Sequence, residues 1–331
     1  MTEIQIKNRK NNNRDYIYLL SSFLKENIVW IVVAVFFIIF SIIFPTFFSE
    51  RNLLNLARRS FVVGIMAIGM SFAMISGSFD LSVGATMGLT TVIVIQLQPS
   101  NLLSMVIAIL VGLSIGLLVG LVNGLLVGRA GTNSVIATIG ISFVVLGINL
   151  IYTRGNHVWI QDIYKGFEFI GAGSIGKFPF PAAIFLFIII VSQFVLRLTK
   201  FGREIYSTGA SKECSIFSGI NVDVITLKCY LISGFTASLA GVVTAARVYN
   251  VDPTFAVGTE FDVLTAVLIG GVSLFGGKGN AINTAGGVFL FVMINNIMTL
   301  SGMNLETQSM VKGVLLVIIV SVYSLFREKS G

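Results

Sequence analysis

Apolar runs recur along the chain at residues 27–48, 61–78, 80–97, 101–127, 134–153, 178–198, 224–248, 262–276, 281–301 and 308–326. A helix advances about 1.5 Å per residue, so about 20 apolar residues match the roughly 30 Å hydrocarbon core of a bilayer. Only 11% of the 331 residues are charged, 55% are hydrophobic, and the mean hydropathy is +0.92. A soluble domain of this size needs far more charge on its surface. The pattern predicts an all-α polytopic membrane protein with about ten transmembrane helices.

The run at 262–276 is short for a crossing and rich in glycine, which predicts a re-entrant or broken element. Two long loops, 154–177 and 199–223, separate the later spans. Five spans precede the first of them and five follow, which would give two inverted five-helix halves. Of the 22 Lys and Arg, the eight at Arg51, Arg58, Arg59, Arg154, Lys165, Lys177, Arg247 and Lys312 fall outside if the N-terminus lies inside. The larger share then lies inside, so the positive-inside rule predicts that both termini are cytoplasmic. The expected parts are a cytoplasmic N-terminal segment at 1–26, a permease domain at 27–326 with the loop 199–223 on the cytoplasmic side, and a cytoplasmic tail at 327–331. No small-residue cleavage site follows the first run, so it reads as a retained span. Arg51, Arg58 and Arg59 lie in "SERNLLNLARRS", where an interfacial helix would turn Leu53, Leu54, Leu56 and Ala57 to lipid.

Several function classes are excluded. Cys214, Cys229 and the single His157 have no spacing that makes a zinc site or a disulfide framework. The net charge of +7 is spread over loops rather than gathered with aromatics, which argues against nucleic acid as a partner. "GGVSLFGGKG" ends in Gly277, Lys278 and Gly279 and fails the G-x-x-x-x-G-K-[ST] phosphate cradle at two points. No Ser, His and Asp set suggests hydrolysis, so the chain alone is not expected to be an enzyme or to hold a cofactor.

The stretch 61–97 contains one charged side chain, Asp80, in "SGSFDLSVGA". A carboxylate at bilayer depth costs roughly 2.5–3.5 kcal/mol on insertion scales and therefore needs a partner. Three partners fit: the amide of Ser82 or Val83 at the start of a helix, a polar solute, or an Arg or Lys elsewhere. Gly112, Gly116, Gly120 and Gly124 repeat every four residues, a stripe that lets a second backbone approach closely.

Taken together, "SGSFDLSVGA", "VNGLLV" at 122–127, "FGREIYSTGASKECSIFSGINV" at 201–222, "LAGVVTAAR" at 239–247, "PTFAVGTEFDVLTAVLIGGVSLFGGKG" at 253–279 and the pair at 295–296 resemble the permease subunits of ribose-type sugar importers of the ABC class. The resemblance spans about residues 45–326. It implies a dimeric channel, homodimeric or paired with a second permease, in the cytoplasmic (inner) membrane. It also implies a separate cytoplasmic ATPase that holds ATP and magnesium, and an extracytoplasmic sugar-binding protein. In such permeases the loop 199–223 is the coupling segment, with Gly209, Ala210 and Ser211 opening its turn and Ser218, Gly219 and Ile220 closing a short helix. Cys214 and Ser215 stand where small Ala residues are usual. Ser78, Asp80, Asn123, Asn295 and Asn296 are the candidates for the translocation path or a structural motif: the hydroxyl and the three amides suit a neutral sugar, which needs no counter-charge, and Asp80 suits the capping of a broken helix. The rival expectations are an ABC permease for nucleosides or branched-chain amino acids, and a secondary carrier working without an ATPase.

Overall fold

The computed structural model describes residues 27–176 and 178–328. The expected N-terminal segment and the last residues of the expected tail lie outside them. The helices are α1 (Asn27–Ile43), α2 (Glu50–Ile75), α3 (Val83–Gln96), α4 (Leu102–Gly124) with a π-helical turn at Leu125–Arg129, α5 (Ser134–Thr153), α6 (Lys165–Ala172), α7 (Phe180–Leu198), α8 (Lys200–Ala210), α9 (Lys212–Phe217), α10 (Val222–Ala245), α11 (Thr259–Ile269), α12 (Ala281–Leu300) and α13 (Leu305–Glu328). Four two-residue strands complete the described residues. The strands β1 (Val158–Trp159) and β4 (Asn250–Val251) pair antiparallel, as do β2 (Ser174–Ile175) and β3 (Phe178–Pro179).

Among the described residues seven helices are long and apolar enough to cross a membrane: α2, α4 with its π turn, α5, α7, α10, α12 and α13. The chain is therefore an all-helical polytopic membrane protein, but not every apolar run is a full-length crossing. The exceptions are α1, α3 and α11. For α3 the reason is local: residues 76–82 are not helical, so the run at 80–97 gives a helix of only 14 residues. The run at 262–276 becomes the 11-residue α11, about 16 Å long, followed by a non-helical stretch over 270–280.

The arginine-bearing segment is not a separate interfacial helix. Ser49 caps α2, its hydroxyl accepting from the Asn52 amide at 3.3 Å, and nothing breaks the helix from Glu50 to Ile75. Leu56, expected at lipid, is buried in the core. Large apolar side chains stay exposed instead on α4, α5 and α7, such as Leu103, Ile136, Ile151 and Phe187, and on α1 and α13, such as Ile42 and Val317.

Close packing centres on α10, which lies against α2, α3 and α4. A Cβ on Gly116 would collide with the carbonyl of Gly234, and one on Gly234 with the carbonyl of Gly116. Gly120 meets Tyr230 and Gly124 meets Leu227 in the same way, so the four-residue stripe is a seam between α4 and α10. The chain thus has two ends: one carries α8 and α9, the other carries the β1–β4 pair and α6.

The seam gives a direct test. Gly116→Leu should lower the thermal unfolding midpoint in detergent by about 10 °C, since overpacking without relief ranks among the large destabilisations. Gly140→Leu is the control, because a Cβ at Gly140 meets nothing within 4 Å. Equal midpoints for the two variants would show that the stripe is not a packing seam.

Candidate functional site

At the α8–α9 end three backbone segments meet with almost no side chain between them. The amide of Gly277 donates to the carbonyl of Ile75 at 2.8 Å, at the last turn of α2. A Cβ on Gly209, the penultimate residue of α8, would collide with that same carbonyl and crowd Gly277. Gly276 has φ +84°, and a Cβ there would lie 2.8 Å from the carbonyl of Gly209 and 2.9 Å from the Cα of Gly77. Only glycine fits such approaches at a positive φ. The hydroxyl of Tyr206 on α8 donates to the Gly279 carbonyl at 2.6 Å and fixes the contact. The end of α8 therefore grips both the turn after α2 and the loop after α11.

Beyond the grip, α9 hangs outward. Ser211 caps it by accepting from the Cys214 amide at 3.2 Å, and its hydroxyl donates to Glu213 at 3.2 Å. Ser218 ends the helix; Gly219, at φ +78°, and the Ile220 amide, bonded to the Ser215 carbonyl at 3.0 Å, close it with a left-handed turn. Ser215 is buried and bonded to the Ser207 hydroxyl at 2.9 Å, so it ties α9 back to α8. Phe217 is 91% exposed and Ile216 61% exposed. Sequence reasoning singled out the turns on either side and passed over this apolar tip.

One step into the bundle lies Asp80, 1% exposed. Its Oδ1 accepts from the Ser82 amide at 3.0 Å and from the Ser82 hydroxyl at 2.6 Å. The Asn123 amide on α4 donates to that hydroxyl at 2.8 Å. The rest of the break is stitched to neighbours: Ser134 Oγ accepts from the Phe79 amide, Thr138 Oγ1 from the Leu81 amide, and the Phe79 carbonyl takes the Tyr230 hydroxyl at 2.7 Å. Ser78 is buried there, its amide bonded to the Ala73 carbonyl at 2.9 Å. The N-cap of α3 is Ser82, so the carboxylate holds the cap residue rather than the first helical amide. No Arg or Lys among the described residues pairs with it.

The remaining candidates are elsewhere. Asn296 on α12 and Asn52 on α2 exchange two amide hydrogen bonds, 3.0 and 2.8 Å, near the opposite end. Asn295 lines a cavity of about 410 Å³ at that end, together with Arg59, Arg247, Phe255, Gln308 and the ion pair of Asp262 with Lys312 at 2.7 Å. The cavity lies beside α11, which begins only at Thr259 after a non-helical descent. So Ser78, Asp80 and Asn123 form one group, Asn295 belongs to a second, and Asn296 joins neither.

Outside this cavity, Asp252 accepts from the amide and hydroxyl of Thr254 and lies 3.4 Å from His157. The Thr254 hydroxyl and then its amide hold the carboxyl below its usual range. That preference favours the folded turn above the ordinary carboxylate pKa, and is lost as pH falls through the lowered value. Among the described residues, no three His, Cys, Asp or Glu gather as a metal site.

Asp80→Ala strands the Ser82 amide and hydroxyl and should cost about 1–3 kcal/mol. Asp80→Asn keeps an acceptor and should recover most of it. Thermal unfolding in one detergent separates the two, and an Ala variant as stable as the Asn variant would deny the carboxylate this role.

Comparison with known proteins places the chain in a family. Residues 52–320 match the family described as branched-chain amino acid transport system / permease component. The ribose import permease protein RbsC of Bacillus subtilis (strain 168) is 35% identical over 294 residues, covering 89% of this chain and 90% of that protein. Its counterpart in Escherichia coli (strain K12) is 32% identical over 307 residues, 92% and 95% of the two chains. The L-arabinose transport system permease protein AraH of the same strain is 31% identical over 305 residues, 91% and 90%. No solved structure matches the chain.

Proposed function

Because the chain belongs to the family of branched-chain amino acid transport system permease components, we propose that it is the membrane-spanning subunit of an ABC importer for a monosaccharide. The relatives named for ribose and arabinose favour a sugar over the nucleosides and amino acids otherwise open to this family. The chain is a permease and not an enzyme; a separate ATPase binds the nucleotide and magnesium and supplies the energy.

The observation that carries this reading is the junction of α8 with the turn after α2 and the loop after α11. In the proposal α9 seats in the ATPase, with Gly209, Ala210 and Ser211 as one turn and Ser218, Gly219 and Ile220 as the other. Phe217 is the anchor, since a large exposed aromatic gains most from burial in a partner's groove. A push on α9 then reaches the broken segments through backbone contacts too tight to absorb it. The short helices α1, α3 and α11 complete ten membrane segments in two inverted halves, two permeases pair around the path, and both termini face the cytoplasm with α9. At the opposite end a sugar-binding protein delivers cargo to the cavity lined by Asn295. There amides offer bonds to hydroxyls and Phe255 a face for the ring. Asp80, Ser78 and Asn123 stabilise the break, and Asn296 clasps α12 to α2.

Purified alone into proteoliposomes, the chain should concentrate no ribose whether or not ATP is present. Accumulation by the lone chain would refute the ABC reading. With its ATPase and binding protein added, ATP-driven uptake of the sugar which that binding protein holds should appear. Phe217→Asp should then remove it at least about tenfold while the chain still inserts, as expected of an interface anchor. Uptake undiminished in Phe217→Asp would reject α9 as the coupling contact.

A further inference from the structure

The cavity at the β1–β4 end carries positive charge that the acid on its own wall does not balance. Arg59 and Arg247 line it. Arg58, next to Arg59 on α2, is half-buried, and its Nε is shut away from solvent without a hydrogen-bond partner. The one acid on the wall, Asp262, is held by Lys312 at 2.7 Å and is already neutralised. Burial, and then the like charges of Arg58 and Arg59, hold the Arg247 guanidinium below its ordinary pKa. Arginine does not release its proton at neutral pH, so the group keeps its charge and the repulsion persists.

Neutral sugars give no reason for such an arrangement. A hydroxyl is satisfied by the amides of Asn295 and Gln308, both on the wall, and the Asn295 Oδ1 is itself buried without a partner. Clustered guanidiniums near a low-dielectric wall instead attract an anion, and their planar forks match a carboxylate or a phosphate with two parallel bonds. The volume of about 410 Å³ lies within the range of small-molecule sites, roughly 300–1,000 Å³.

We propose that the cavity lined by Arg59 and Arg247 takes an acidic monosaccharide, one bearing a carboxylate or a phosphate. The arginines receive the anionic group, Asn295 and Gln308 the hydroxyls, and Phe255 the apolar face of the ring. This rests on the permease reading above and narrows its cargo.

The test uses the full chain in nanodiscs of phosphatidylcholine, titrated calorimetrically with gluconate, ribose 5-phosphate and ribose. One or both anions should bind about tenfold or more tighter than ribose, and should weaken as salt rises. Gluconate ahead of ribose 5-phosphate assigns a sugar acid, and the reverse order a sugar phosphate. Arg59→Gln with Arg247→Gln should bring the anions down to the level of ribose. Arg59→Gln alone, at an exposed position, should give part of that loss should the double variant fold poorly. Ribose binding as tightly as the anions, or arginine variants that change nothing, would overturn the proposal. So would an arginine-dependent thermal stabilisation by phosphatidylglycerol with no binding of either soluble anion, which would make a lipid headgroup the ligand. The permease reading is judged separately by ATP-driven uptake and survives all of these results.

Discussion

Within hydrocarbon a peptide group that leaves a helix has no water to turn to, and each orphan costs several kcal/mol. The interruptions of this chain exist only because other segments supply those partners. At residues 76–82 the partners are Ser134, Thr138 and the carboxylate of Asp80, with Asn123 and Tyr230 bracing the break from α4 and α10. After α11 they are the carbonyl of Ile75 and the hydroxyl of Tyr206. Each break is thereby tied to the other and to α8.

That constraint accounts for the glycines. Where backbone must satisfy backbone across two elements, side chains have to be absent, and Gly77, Gly209, Gly276 and Gly277 leave the room. The α4–α10 seam uses the same device for a different end. There, glycines within continuous helices bring two surfaces together and no hydrogen bonds are left over. One residue type therefore serves both the rigid part of the molecule and its junctions, and only the neighbouring conformation tells them apart.

Much of this was legible in the sequence, for physical reasons that differ from residue to residue. The acceptor role of Asp80 could be read because its donor, Ser82, is two residues away and such local bonds follow from spacing. The ends of α9 were marked by Ser211 and Gly219, whose preferences are also local. The continuity of α2 was misread, since charges at Arg58 and Arg59 suggest an interface until their surroundings are known. Asn296 could not be assigned because its partner, Asn52, lies 244 positions away. The cavity was illegible for the same reason, with walls drawn from α2, α3, α10, α12, α13 and the segments around α11.

The interlocked carbonyls of Gly116 and Gly234 have a mechanical corollary. Two helices whose main chains mesh that closely cannot slide past one another without lifting apart, and lifting would open a void that lipid tails do not readily enter. They move as a single plank. Any tilt of α4 therefore carries α10 with it.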